Sequence, residues 1–348
     1  MTREELIRNF NPNAPGALRS LFGLPFDEAN ARVVVVPVPW EVTVSYHSGT
    51  ALAPEAILEA SAQVDLYDRH IPDAWKIGIH MLPVPEQWKK RSDELRKLAA
   101  QHINNVASGN EVNKAALDEI NQACGEMVQY VGKTTAGFLK QGKAVALLGG
   151  DHSTPLGFIQ ALTEQYTRFG ILQIDAHADL RKAYEDFTYS HASIMYNALK
   201  LPAVSRLVQV GIRDICEEEM QVIDRSMGRI KTFFDEDLKE QLYTGKTWQS
   251  ICQAIVKELP ELVYLSFDID GLDPRLCPNT GTPVAGGLEY HQAVFLIREV
   301  VKSGRKIIGL DLNEVAPGTT DWDANVGARL LYQLCNWMAV SQNLHQKI

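Results

Sequence analysis

Asp175-Ala-His-Ala-Asp179 sets two carboxylates and an imidazole at alternate positions directly after the apolar run Gly170-Ile-Leu-Gln-Ile174. In extended backbone, alternate side chains share one side. Two acids and a histidine aimed at one spot repel one another unless a cation lies between them, and a divalent metal is the simplest such cation. Two further apolar runs end in the same way. Glu261-Leu-Val-Tyr-Leu-Ser-Phe267 leads into Asp268-Ile-Asp270-Gly-Leu-Asp273-Pro274, and Ala144-Val-Ala-Leu-Leu148 leads into Gly149-Gly150-Asp151-His152. The candidate ligands are therefore His152, Asp175, His177, Asp179, Asp268 and Asp270. Six donors exceed what one ion takes and suit two ions sharing bridging carboxylates, the arrangement of binuclear hydrolases. Oxygen and imidazole donors without thiolate favour Mn2+, Ni2+, Co2+ or Fe2+ over structural zinc. A lone Asp-x-Asp is more often a cap or turn, and a lone Gly-Gly-Asp-His only a glycine-rich turn. Three such groups at three strand ends reverse those odds.

The elements that must position these groups are legible as apolar, β-branched runs near residues 32–38, 76–80, 143–148, 170–175, 206–211, 229–233, 262–268 and 306–312. Segments of helical period separate most of them, such as Thr154 to Tyr166 and Leu288 to Lys302. Alternation of strand and helix predicts a parallel α/β sheet covered on both faces, with its site at the carboxyl ends of the strands. Residues 86–141 are charged and helix-prone, and read as two helices broken near Ser108-Gly109-Asn110. Residues 1–30, with Asn11-Pro-Asn-Ala-Pro15 and weak periodicity, read as an arm suited to packing on a neighbouring subunit; 31–348 read as one domain.

Composition narrows the class. The chain has 348 residues, 45 % of them hydrophobic, enough for a large core. A net charge of −9 argues against non-specific nucleic-acid binding, which needs a basic face. No apolar stretch nears the roughly 20 residues that span a bilayer, and Met1 to Arg8 lacks the apolar centre of a signal peptide. Five widely spaced cysteines form no CxxC pair and read as free thiols. A cytoplasmic protein with no membrane partner is the expectation.

Gly149-Gly-Asp-His152, Asp175-Ala-His-Ala-Asp179 and Ser266-Phe-Asp-Ile-Asp-Gly-Leu-Asp-Pro274, followed by Thr280-Gly-Thr-Pro283 and Gly286-Gly287, resemble the signature of the ureohydrolases. That family includes arginase, agmatinase, formiminoglutamase and guanidine hydrolase, and the resemblance covers about residues 30–340. It implies a three-layer α/β/α fold with an eight-stranded parallel sheet, of the arginase–deacetylase type. It also implies two Mn2+ or Ni2+ ions, release of urea from a small cationic guanidino substrate, and a homo-oligomer, trimer or hexamer. Carried over motif by motif, one ion falls to His152, Asp175, Asp179 and Asp268, and the other to His177, Asp175, Asp268 and Asp270.

A guanidinium carbon is a poor electrophile, so water must be activated and the leaving amine protonated. Two metals meet the first need by lowering the pKa of a water toward ~7. For the proton, His191 in Ser190-His-Ala-Ser193 matches the family histidine. Glu314, after the eighth apolar run, corresponds to the glutamate that pairs with the guanidinium. Asp151 and Asp273 flank the ligand motifs and suit the orientation of imidazoles or water, or plain turn capping.

Substrate choice rests on Pro37-Val-Pro-Trp40-Glu-Val-Thr43-Val-Ser-Tyr46 and on Trp322. Trp40, Thr43 and Tyr46 near the pocket mouth would narrow it, and Trp40 and Trp322 could stack on a cation or serve only as packing residues. No run resembles the Ser/Asn loop by which arginases hold an α-amino acid, and the Trp40–Tyr46 stretch with Leu276-Cys-Pro-Asn279 resembles the agmatinase-like branch that includes guanidine hydrolases, so that resemblance makes free guanidine the leading expectation. Agmatine follows, then other guanidino acids or formiminoglutamate. A single-zinc deacetylase of related architecture is disfavoured by the complete second ligand set, and a non-catalytic relative by the absence of any missing ligand.

Overall fold

The computed structural model describes residues 1–16 and 20–345. Eight strands form one sheet: β1 (Val33–Val38), β2 (Ile79–Met81), β3 (Ala144–Gly149), β4 (Phe169–Ile174), β5 (Val204–Ile212), β6 (Ile230–Phe234), β7 (Leu262–Asp268) and β8 (Lys306–Asn313). Their order is β2-β1-β3-β8-β7-β4-β5-β6, and every neighbouring pair is parallel. Eleven α-helices are present among the described residues. They are α1 (Arg3–Asn9), α2 (Ala53–Ser61), α3 (Glu86–Ala107), α4 (Lys114–Lys140), α5 (Leu156–Leu162), α6 (Ile194–Ala198), α7 (Glu217–Arg225), α8 (Asp235–Tyr243), α9 (Trp248–Lys257), α10 (Tyr290–Lys302) and α11 (Trp322–Ser341).

The sheet is buried on both faces, so its strands are apolar throughout rather than alternating with polar residues. β1 shows how the two faces separate. Val33 and Val35 enter a core shared with residues of α2, α9, α10 and α11, whereas Val34, Val36 and Val38 enter one shared with α3, α4, α5 and α6. The result is the three-layer arrangement expected from sequence. α3 and α4 fill the long connection, with the break falling at residues 108–113.

Some bounds differ. The second strand begins only at Ile79, because residues 74–77 form a 3₁₀ turn closed by Gly78 at φ +75. The helix expected over 154–166 is α-helical only over Leu156–Leu162. Within residues 1–30, Thr2 and Glu5 form a capping box on α1. Leu6, Leu21, Phe22, Leu24 and Phe26 pack into the first core, and Arg3 donates to the Asn30 carbonyl at 2.7 Å. All five cysteines are free, and no helix among the described residues is long and apolar enough to cross a membrane.

Candidate metal centre and cleft

Four consecutive strands in the middle of the sheet, β3, β8, β7 and β4, carry the chemistry-bearing residues at their carboxyl ends. Because these strands are parallel, those ends share one edge, where open α/β sheets bind ligands. Each acid there is held by its own backbone surroundings. The Asp175 Oδ1 accepts from the His177 amide (2.7 Å), Asp268 Oδ1 from the Asp270 amide (2.9 Å), and Asp270 Oδ1 from the Ala176 amide (3.0 Å). Each carboxylate is thereby anchored through one oxygen, and Asp175 also accepts from Gln173 at Oδ2 (2.8 Å).

The donor atoms converge on two points. Around His152 Nδ1 lie Asp175 Oδ2 at 3.0 Å, Asp179 Oδ2 at 3.0 Å and Asp268 Oδ2 at 3.3 Å. Around His177 Nδ1 lie Asp270 Oδ2 at 3.0 Å and Asp175 Oδ1 at 3.7 Å. Asp175 thus offers one oxygen to each point, as a bridging ligand must. His152 Nδ1 is buried and makes no hydrogen bond despite its three acidic neighbours. Three carboxylate oxygens crowded around one buried imidazole nitrogen fit a metal ion. His152, Asp175 and Asp179 form one set able to hold an ion, and Asp175, His177 and Asp270 a second.

Electrostatics point the same way. Burial opposes charge on His152, yet Asp175, Asp179 and Asp268 raise its imidazole well above the usual value. Burial likewise opposes charge on His177, which Asp270 and Asp175 hold protonated. Burial and then Asp175 push Asp179 up to about 7, and burial with Asp270 and Asp175 raises Asp268. Buried acids that repel one another this strongly gain from a dication placed between them.

A cleft of about 300 Å³ opens above this floor, lined by His152, His177, Asp179, Asp268, His191 and Glu314, and nearer solvent by Ser45, Tyr46, Arg181, Tyr184, Asp214 and Thr282. Glu314 follows β8 at φ +62, and Asp179 has φ +54, a conformation rarely adopted without functional or structural constraint. The Glu314 Oε1 accepts from the His152 amide at 2.8 Å, and burial, then Asp151, raises this carboxyl. His191 Nδ1 lies 3.4 Å from Thr43 Oγ1, which also accepts from the His191 amide at 3.2 Å. Burial and the nearby His177 and His152 depress His191 to about 3, so its ring is neutral.

Several sequence expectations change here. Trp40 is fully buried, edge-on to Trp88 with ring centroids 5.7 Å apart, and does not line the cleft. Its carbonyl instead accepts from the Asp151 amide at 2.8 Å and packs on Gly150, where any Cβ would collide with it. Trp40 therefore shapes the Gly149–His152 turn through its backbone. Trp322 is 46 % exposed and donates to the Arg275 carbonyl at 3.0 Å, outside the cleft lining. Asp273 is likewise outside the lining and is paired with Arg275 through both oxygens, as a turn cap. Thr43 lies behind His191 rather than on the cleft wall. Asp151 is buried behind the turn, accepting from Ser153 and 3.4 Å from Thr43 Oγ1.

The structure also adds residues. His152 Nε2 is 2.9 Å from Ser266 Oγ, whose hydroxyl donates to Asp311 Oδ1 at 3.1 Å. Since Ser266 spends its proton on a carboxylate, Nε2 carries the imidazole proton and Nδ1 is left to face the centre. Arg213 ties the floor to the cleft wall, donating to the carbonyls of Gly211, Asp270, Leu272 and Val284 at 2.7–3.2 Å. The signal for Asp311 and Ser266 was a polar residue inside an apolar strand, where burial demands a partner.

Residues 31–336 match the model of the arginase family. An N(1)-aminopropylagmatine ureohydrolase of Synechocystis sp. is 31 % identical over 319 residues, covering 90 % of this chain and 91 % of its own. An agmatinase of Neisseria meningitidis serogroup B is 29 % identical, covering 88 % and 87 %. The crystal structure of the agmatine ureohydrolase of Thermoplasma volcanium superposes with a TM-score of 0.73 at 22 % identity, over 98 % of this chain and 99 % of that one. Family match, sheet order and convergent acids agree: the chain belongs to the arginase family and is a ureohydrolase, a hydrolase of guanidino carbon–nitrogen bonds.

Proposed function

We propose that this ureohydrolase releases urea from a guanidine that carries a chain, rather than from free guanidine, at a centre of two Mn2+ or Ni2+ ions. His152, Asp175, Asp179 and Asp268 would hold one ion, and His177, Asp175, Asp268 and Asp270 the other. When bound, the ions supply the positive charge that makes a water acidic near neutral pH. Glu314 pairs with the guanidinium and orients its carbon over the floor, its own position set by the His152 amide. His191, neutral at rest and held near Thr43 at Nδ1, would relay a proton: it takes up the one released by the activated water and hands it to the leaving nitrogen, returning to the neutral ring.

The cleft carries the substrate choice. Its volume of about 300 Å³ leaves room well beyond the four heavy atoms of guanidine. The two tryptophans that favoured guanidine lie outside it, one in the core and one at the surface. Relatives named for agmatine and N(1)-aminopropylagmatine support the same direction. The test is urea release by protein loaded separately with Mn2+ and Ni2+, against guanidine, agmatine, arginine and 4-guanidinobutyrate. Turnover of a chain-bearing compound well above guanidine is the expected result. Guanidine as the preferred substrate would overturn the proposal, as would no urea from any of the four.

A further inference from the structure

Trp322 and Asp323 open α11 side by side, and each grips the loop that runs from Arg275 to Gly281. The Trp322 indole donates to the Arg275 carbonyl at 3.0 Å. Asp323, fully buried, accepts twice from Asn279: from its amide at 3.0 Å and from its side-chain NH2 at 2.9 Å. A buried carboxylate with both oxygens hydrogen-bonded is a fixed point, because leaving either one unpaired costs its desolvation. Asn279 also fills the space over Gly318, where any Cβ would collide with its side-chain amide. The start of the helix, the loop and the segment that follows Glu314 are therefore locked together at one residue.

The next two residues of that loop meet Glu314. Thr280, itself buried, donates its hydroxyl to the Glu314 carbonyl at 2.8 Å. The Gly281 backbone lies beside Glu314 Oε2, with 3.4 Å between that oxygen and a Cβ placed on Gly281. At its other end the Glu314 peptide donates its amide to the Gly150 carbonyl at 2.8 Å. Glu314 holds φ +62, a conformation that persists only where the surroundings impose it. Gly150 imposes it at the amide and Thr280 at the carbonyl. The Gly150 contact belongs to the metal floor. The Thr280 contact depends on Asn279 and, through it, on Asp323 and Trp322, none of which lines the cleft.

We propose that Asn279, Asp323 and Trp322 are positioning residues that set the aim of the Glu314 carboxylate, and with it the capture of the guanidinium, from outside the cleft. This rests on the pairing of Glu314 with the guanidinium proposed above. The latch acts through Thr280: a shift of the loop carries the Glu314 carbonyl with it, and turning that peptide swings the carboxylate away from the His152 amide. Misplacement of a substrate-positioning group by about 1 Å costs on the order of 100-fold in rate.

The test is kcat/KM for the preferred guanidino substrate in metal-loaded Asn279→Asp, in the exchanged pair Asn279→Asp/Asp323→Asn and in Trp322→Phe, each with and without Glu314→Gln. Asn279→Asp sets two carboxylates against each other and should lower kcat/KM by about 10- to 100-fold with metal content unchanged. The exchanged pair regains both hydrogen bonds with one donor and acceptor reversed, and should recover to within about 3-fold of wild type. Trp322→Phe removes one hydrogen bond and keeps a ring, so a loss of about 2- to 10-fold is expected. On the Glu314→Gln background the Asn279→Asp loss should shrink to under about 3-fold, because residues that act only through Glu314 have nothing left to aim. The same full loss on both backgrounds, no recovery in a folded exchanged pair, or an unchanged kcat/KM in both Asn279→Asp and Trp322→Phe overturns the proposal. Should either Asn279 variant fail to fold, Trp322→Phe carries the comparison between the two backgrounds. Glu314→Gln with wild-type kcat/KM overturns the reading of Glu314, and the proposal with it.

Discussion

Asp311→Asn tests whether the buried carboxylate behind His152 governs the metal site without touching it. Asp311 Oδ1 accepts from Ser266 Oγ, the Phe267 amide and Asn313 Nδ2, at 2.6–3.3 Å. An asparagine can keep that oxygen in place, with its NH2 at Oδ2 and the buried Tyr264 hydroxyl as a neighbour. The substitution therefore removes charge while preserving shape. Asp311 Oδ1 lies 3.8 Å from His152 Nε2. Two unit charges at that distance interact by about 4 kcal/mol at an effective dielectric of ~20. A ligated imidazole carries only part of a charge, so about half, roughly 2 kcal/mol, is expected. That is about a 30-fold loss of affinity, inside the range seen when groups behind metal ligands are changed. The assay is stepwise metal titration against a chelator of known affinity. One binding step should weaken by about that factor and the other, on the His177 side, should stay close to wild type. Equal weakening of both steps, or of neither, would refute the relay through Ser266.

Three further outcomes follow from the site. Glu314→Gln removes the carboxylate proposed to pair with the guanidinium and should lower kcat/KM by about 10- to 100-fold in steady-state urea assays; an unchanged value would take Glu314 out of the site. Arg213→Met leaves the carbonyls of Asp270, Leu272 and Val284 without their cationic donor. Charged hydrogen bonds contribute about 1.5–3 kcal/mol each and not additively, so a loss of about 3 kcal/mol in urea unfolding is expected, and under 1 kcal/mol would contradict the clamp. In the metal-free protein His152 and His177 titrate above their usual value, so at pH 7 both carry a proton that a metal must displace. Metal binding should release protons at pH 7, weaken as pH falls, and release fewer as pH rises through the raised values. Calorimetry in buffers of different ionisation enthalpy reads this directly, and zero proton release would sink it.

Much of this molecule is legible in its sequence because the controlling signals are local. The strands of a doubly covered parallel sheet read as unbroken apolar runs, as Val33 to Val38 does. The candidate ligands follow those runs at spacings that backbone geometry converts directly into convergence. Other features depend on tertiary packing. Past the end of β1 the period-two rule no longer applies, so nothing local says that Trp40 turns inward onto Trp88 while Tyr46, six residues on, reaches the cleft. Asp273 shares its motif with the candidate ligands Asp268 and Asp270, and only the fold shows it turned to Arg275. Arg213 sits after β5, far in sequence from the carbonyls of Asp270, Leu272 and Val284 that it gathers.

Asp175 offers one oxygen to each candidate metal point, so the proposed binuclear centre would depend on it more than on any other side chain. The most direct measurement is metal content per chain, by elemental analysis, for wild type and Asp175→Ala beside their urea turnover. Two ions per wild-type chain are predicted, falling below one with turnover abolished in the variant. One ion in the active wild type, or full turnover with two ions in Asp175→Ala, would contradict a binuclear centre bridged by Asp175.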